Sequence, residues 1–244
     1  MRRQKLAAVF FAAAMVLGLA ASAGAVDGTI EINQAKVLAA GGFPYVISTA
    51  NTSYRLTGSL SVPASTNGIN VTKSSVTIDL NGFTISGPGS SSVTPIGINA
   101  VDDITVENGT VTGFGLAVKL QNSGIVRKVH VDSNVDGINM VGDFGLVEGC
   151  TANNLGAPAV GFGIACNTGC VISGNTASRN NVGIECASGC LISGNTLSGN
   201  QTAIFLADAT SGYGGNVLNS NTTGISGGTS LGAKNTNLCS GTAC

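Results

Sequence analysis

Tryptophan is absent from the 244 residues, aromatic residues make up 5%, charged residues 9%, and there is a single histidine. So little charge, with a mean hydropathy of +0.35, excludes a disordered tail, which needs high charge and low hydrophobicity. It also excludes a coiled coil, which needs a large share of Ala, Glu, Lys and Leu. Five prolines and no Gly-X-Y period exclude collagen. Eleven basic against twelve acidic residues give a formal charge of −1, so nothing in the charge calls for a nucleic-acid partner. What is abundant is glycine, at 36 residues.

The first 25 residues read as a targeting segment. Arg2, Arg3 and Lys5 precede the apolar run Leu6 to Leu19, and the small residues Ala20 to Ala25 follow. That is the order of a secretory signal peptide, with cleavage expected after Ala25. The run is shorter than the ~20 residues needed to span a bilayer, so no membrane span is expected once it is removed. The expected destination is secreted, periplasmic or cell-surface. Loss of three basic groups leaves eight against twelve acidic ones, a mildly acidic mature chain.

Self-similarity decides the fold. Gly163-Ile164-Ala165-Cys166-Asn167-Thr168-Gly169-Cys170-Val171-Ile172-Ser173-Gly174-Asn175-Thr176 recurs 20 residues later as Gly183-Ile184-Glu185-Cys186-Ala187-Ser188-Gly189-Cys190-Leu191-Ile192-Ser193-Gly194-Asn195-Thr196. Starts of this type fall at Gly68, Gly97, Gly115, Gly137, Gly163, Gly183, Ala203 and Gly224. Each unit holds short alternating runs, such as Val76-Thr77-Ile78-Asp79-Leu80 and Ile104-Thr105-Val106-Glu107, bounded by Asn-Gly, Gly-Asn or Ser-Gly turns. Alternation without helical periodicity, at one winding per ~20 residues, predicts a right-handed parallel β-helix of about seven coils at ~4.8 Å spacing. The register stacks Asn175 on Asn195 at a turn, and Thr110, His130, Thr151, Thr176 and Thr196 in a column. Residues 26–67 are expected to form an N-terminal cap, with a short helix within Ile32 to Ala40 stopped by Gly41-Gly42. The solenoid is expected over 68–226, and a loose tail or cap over 227–244.

The strings Asp27-Gly28-Thr29-Ile30-Glu31-Ile32-Asn33-Gln34-Ala35, Tyr54-Arg55-Leu56-Thr57-Gly58 and Val76 to Ile85 resemble the bacterial exported right-handed parallel β-helix repeat proteins of the pectate-lyase-like superfamily. The resemblance covers nearly the whole mature chain and implies the same fold. It does not by itself choose a function, because that superfamily mixes lyases, hydrolases and epimerases with adhesins.

All seven cysteines lie after the signal peptide, at 150, 166, 170, 186, 190, 239 and 244. Two C-x3-C pairs 20 residues apart admit three readings: disulfides within each turn, disulfides between coils, or a four-thiolate Zn site. An oxidising compartment and the spacing retained in both copies favour disulfides within each turn, at Cys166, Cys170, Cys186 and Cys190, with no metal. Cys239 and Cys244 then close the tail, and Cys150 stays unpaired.

Charge concentrates between Asp102 and Glu148. There Glu107, Arg127 and Glu148 fall one above another, and Arg127, His130, Asp132 and Glu148 form the candidate catalytic or saccharide site. The plainer account is a solvated ion-pair ladder of little energetic value, and it carries more weight. The Gly-His-Gly and Arg-Ile-Lys elements of polygalacturonases are missing, as are the Arg-x-Pro-x-x-Arg and Trp-Ile-Asp-His strings of pectate lyases. With only Tyr45, Tyr54 and Tyr213 and no Trp, sugar-stacking faces are scarce. The favoured expectation is therefore a non-catalytic exported module for surface or glycan interaction, with polysaccharide or cell-envelope glycan as partner and no cofactor. The alternative is a small polysaccharide lyase, in which case Ca²⁺ would be expected.

Overall fold

The computed structural model describes residues 28–89, 94–153, 161–231, 237–240 and 242–243. The chain winds into an all-β parallel solenoid with three flat faces. Sheet I has nine parallel strands: Tyr45–Ile47, Ile69–Val71, Ile96–Ala100, Leu116–Leu120, Asp136–Asp143, Phe162–Thr168, Val182–Ser188, Thr202–Leu206 and Thr223–Ser226. The other eighteen strands form one bent sheet, whose two faces we call sheet II and sheet III. Strands such as Thr52–Leu56, Val76–Asp79, Leu146–Glu148, Val171–Ser173 and Leu191–Ser193 belong to sheet II. Thr84–Ser86, Thr151–Asn153, Thr176–Ser178 and Thr196–Ser198 belong to sheet III. The long strands Ile104–Thr112 and Ile125–Asp132 run through the corner and serve both.

Three corners per coil need a sharp change of direction, and each is made by one residue with positive φ. Between sheets II and III that column is Asn108, Lys128, Gly149, Gly174, Gly194 and Gly215. A left-handed residue there is most easily supplied by glycine, which explains why Gly recurs at this step of the repeat. The residue after it turns inward.

Inside the prism the columns are nearly uniform. Ile69, Ile98, Val118, Ile138, Ile164, Ile184 and Ile204 stack along sheet I, and Ile78, Val106, Val126, Val147, Ile172 and Ile192 along sheet II, all fully buried. Each such side chain contributes roughly 1.5 to 3 kcal/mol of transfer free energy. Two asparagine columns line the corners. Asn175, Asn195, Asn216 and Asn237 are buried, and each of the first three takes the next residue's Oδ1 from both its backbone N–H and its Nδ2, at 2.9–3.1 Å. Asn180, Asn200 and Asn221 repeat the pattern at the next corner. Polar groups at tight turns thus satisfy one another between coils.

The coil number is nine, not about seven. The extra winding lies in the segment read as a cap, where Tyr45 pairs with Ile69, Tyr54 with Ile78 and Leu60 with Ile85 in full register. The start assigned at Gly115 also shifts. Val118 stands between Ile98 and Ile138, so Ala117 occupies the glycine step, and the irregular 18 and 22 spacings become 20 and 20. A helix does form at Gln34–Ala39, capped by the Asn33 side chain accepting from Lys36 N–H at 3.1 Å, with Val37 buried beneath it. At the other end, Leu238–Cys239 continues sheet III and pairs antiparallel with Thr242–Ala243, which blunts the open edge. The residues 1–25 assigned to the signal peptide lie outside the described residues, and so does the loop expected at Leu155-Gly156-Ala157-Pro158. Among the described residues no helix is long and apolar enough to cross a membrane.

The cysteines fill the corner between sheets I and II. One coil earlier that corner holds the Met140 side chain, tight against Gly124 and Gly145. In the next two coils Cys166 is bonded to Cys170 and Cys186 to Cys190. One coil later Ser211 takes over, donating a side-chain acceptor to Cys190 N–H at 3.2 Å. Cys239 is also disulfide-bonded; Cys244, the partner expected for it, lies outside the described residues. Cys150 is free and buried at the head of the asparagine column, its N–H on Asn175 Oδ1 at 2.8 Å. Burial pushes its thiol up to about 11, so it carries almost no thiolate at neutral pH. Iodoacetamide is therefore expected to leave the native protein unlabelled at 150, 166, 170, 186 and 190. In urea without reductant it should label Cys150 alone among these five. Labelling of Cys166 or Cys190 under those conditions, read by peptide mass mapping, would contradict the pairing.

Candidate functional site

The structure divides the four sequence-derived candidates between two faces. Arg127 and Glu148 are register partners on the outside of sheet II, with Glu107 on the other side of Arg127. His130 and Asp132 project from sheet III, beyond the corner at Lys128, in the column Thr110, His130, Thr151, Thr176 and Thr196. Arg127 Nε lies 3.2 Å from Glu107 Oε2, although it makes no hydrogen bond, and the guanidinium is 42% exposed. The sheet II column continues the alternation toward the N-terminus as Glu31, Arg55 and Asp79, with Arg55 Nε 3.3 Å from Asp79 Oδ2. This is a solvated charge ladder, and such pairs contribute little to stability. It offers a substrate no convergent acid and base.

A different place is concave. Along the outside of sheet I run Asn99, Lys119, Asn139, Ala165, Glu185 and Phe205. Ala165 is the smallest of them, and its short side chain leaves a gap between Asn139 and Glu185. The pairing on the Asn139 side also slips by a residue between Met140 and Asp143. Together these open a groove of about 370 Å³, lined by Asn139, Val141, Phe162, Asn167, Glu185 and Ala187 over a floor of Ala165. The volume suits one sugar unit.

Its lining mixes one half-buried aromatic face with amides and a carboxylate. Asn167 is held by Nδ2 donating to Asp143 Oδ1 at 2.9 Å. At the edge, the buried Asp136 takes Phe162 N–H on Oδ1 at 3.4 Å. Burial raises the Asp136 carboxyl above its ordinary value; the Phe162 N–H partly offsets this, and the charge of Glu185 raises it further. Glu185 makes no ion pair among the described residues. Sequence reasoning passed over this place because Ala165 and Glu185 stand at the same step of two near-identical repeats, where they read as ordinary outward positions. The signal available was the 26-residue spacing between Gly137 and Gly163, which marks the one coil out of step.

Three sulfurs, of Cys166, Cys170 and Cys190, lie within 4.8 Å of one another. Stacking of two disulfides brings them together, and bonded sulfurs have no thiolate to offer a metal.

The right-handed beta helix family model matches residues 45–202. The chain belongs to this family of right-handed parallel β-helices. No curated protein and no solved structure matches it.

Proposed function

We propose that the chain is an exported, non-catalytic β-helix module that binds saccharide chains at the groove over Ala165. The observation that carries this reading is the lining itself: an aromatic face at Phe162 beside the amides of Asn139 and Asn167 and the carboxylate of Glu185. Sugar rings are recognised by that combination of an apolar face and planar polar groups. The groove opens on a flat outer sheet, so a polymer can lie along it while one unit enters. Export is supported by the basic, apolar and small-residue order of residues 1–25 and by the paired cysteines, which persist in oxidising compartments. The resemblance to exported pectate-lyase-like proteins points the same way.

Ala165→Leu puts a branched side chain into the gap and leaves the inward face untouched. The wild-type protein is expected to be retarded in native gels cast with an immobilised glycan, and Ala165→Leu to run freely. Equal retardation of both would remove the groove from the account. The lyase alternative predicts a different result, release of unsaturated uronate products from acidic polysaccharides, lost in Arg127→Ala. With Arg127 and His130 on different faces, no such product is expected.

A further inference from the structure

We propose that the groove selects an amine-bearing sugar unit, whose ammonium is set against Glu185 while its ring lies on Phe162; this rests on the saccharide reading of the same groove. The argument is one of charge. From Val131 to Ala233 the chain carries six acidic residues, Asp132, Asp136, Asp143, Glu148, Glu185 and Asp208, and a single basic one, Arg179. Both stretches that build the groove fall in this span. None of the residues lining it is basic, and residues 154–160, the stretch before Phe162, also contain no Lys, Arg or His. Lys119 stands in the same outward column, but with Asn139 and Ala165 between it and Glu185.

A uronate would bring a third carboxylate beside Glu185 and Asp136 with no cation to receive it. Like charges at such range disfavour binding, the more so where one is already buried. A neutral sugar would leave the Glu185 charge without a partner. An ammonium supplies the missing counter-charge and three donors, which the Glu185 oxygens and the side-chain carbonyls of Asn139 and Asn167 can accept. The raised Asp136 carboxyl fits the same picture, since its repulsion from Glu185 is unrelieved by any protein cation.

Calorimetric titration of the full mature protein with glucosamine oligomers, N-acetylglucosamine oligomers and galacturonate oligomers of equal length tests this. The glucosamine oligomers are expected to bind at least about tenfold tighter than either of the others, with affinity falling as salt is added. Glu185→Gln should lose about tenfold toward the glucosamine oligomers and narrow the difference from the acetylated ones. Glu31→Gln, at the N-terminal end of the sheet II ladder, should bind as the wild type does. Preference for acetylated or uronate oligomers would overturn the amine assignment while leaving the saccharide reading in place. So would an unchanged affinity in Glu185→Gln. Absence of binding by all three oligomers would overturn the saccharide reading, and the amine assignment with it.

Discussion

Asn195→Ala is expected to lower the free energy of unfolding by about 4 kcal/mol, from the buried polar groups it leaves unsatisfied. The Asn195 side chain makes four hydrogen bonds in the corner between sheets II and III. Its Oδ1 accepts from Asn175 N–H and Nδ2 at 2.9 and 3.0 Å, and its Nδ2 donates to Ile172 O and Asn216 Oδ1 at 3.0 Å each. The residue is 1% exposed, so water cannot replace these partners without opening the corner. Alanine orphans the Asn175 amide and the Ile172 carbonyl outright and leaves a void behind. Asn195→Asp is a sharper version, since it keeps the acceptor for Asn175 but sets a negative charge against two oxygens. Because each coil contacts only its neighbours, damage at this rung should also uncouple the coils on its C-terminal side from those before it. Urea unfolding followed by circular dichroism should show a lowered first midpoint and a second transition. A loss below about 1 kcal/mol with a single transition would mean that the asparagine column is not what joins these coils.

The asparagine column, the Thr110 to Thr196 column and the Glu107–Arg127–Glu148 stack were all legible from the repeat, because a parallel solenoid converts sequence period directly into vertical neighbours. Where the period is strict, at 163–176 and 183–196, every register pair follows. It was misread where another residue takes the glycine step. Ala117 does so in one coil, and the nearby Gly115 drew the alignment two residues off. In the first full coil, Pro44 stands at the glycine step before Tyr45, so that coil looked like a cap. The groove was illegible for a further reason. Concavity on an outer face depends on which neighbour is small and on a slip in pairing between Met140 and Asp143, and neither is written in the period. The charged cluster, by contrast, was conspicuous in sequence and is spread over two faces in space.

Gly183→Val is expected to cost about 3 kcal/mol, and Gly183→Ala about 1 kcal/mol or less. A Cβ at Gly183 would sit 2.6 Å from Ala203 O, 2.7 Å from Leu197 Cδ2 and 3.1 Å from Asn200 Nδ2. The φ there is not in the left-handed region, so the objection is space and not conformation. A single methyl has precedent in this column, where Ala117 and Ala203 stand at the same step and the coils still pair in register. Leucine ends and amide groups can yield by tenths of an ångström, but the backbone carbonyl of Ala203 belongs to the next coil and cannot yield without spreading the sheet. The two γ-carbons of valine would force that spread, against Leu197 on one side and the second asparagine column on the other. Since Glu185 lies two residues along the same strand, the displacement should carry into the groove. Gly183→Val is expected to lose glycan retention as well as stability, whereas Gly183→Ala keeps both. Matching urea midpoints for the two variants, or retention preserved in the valine form, would show that the coils separate more easily than this packing implies.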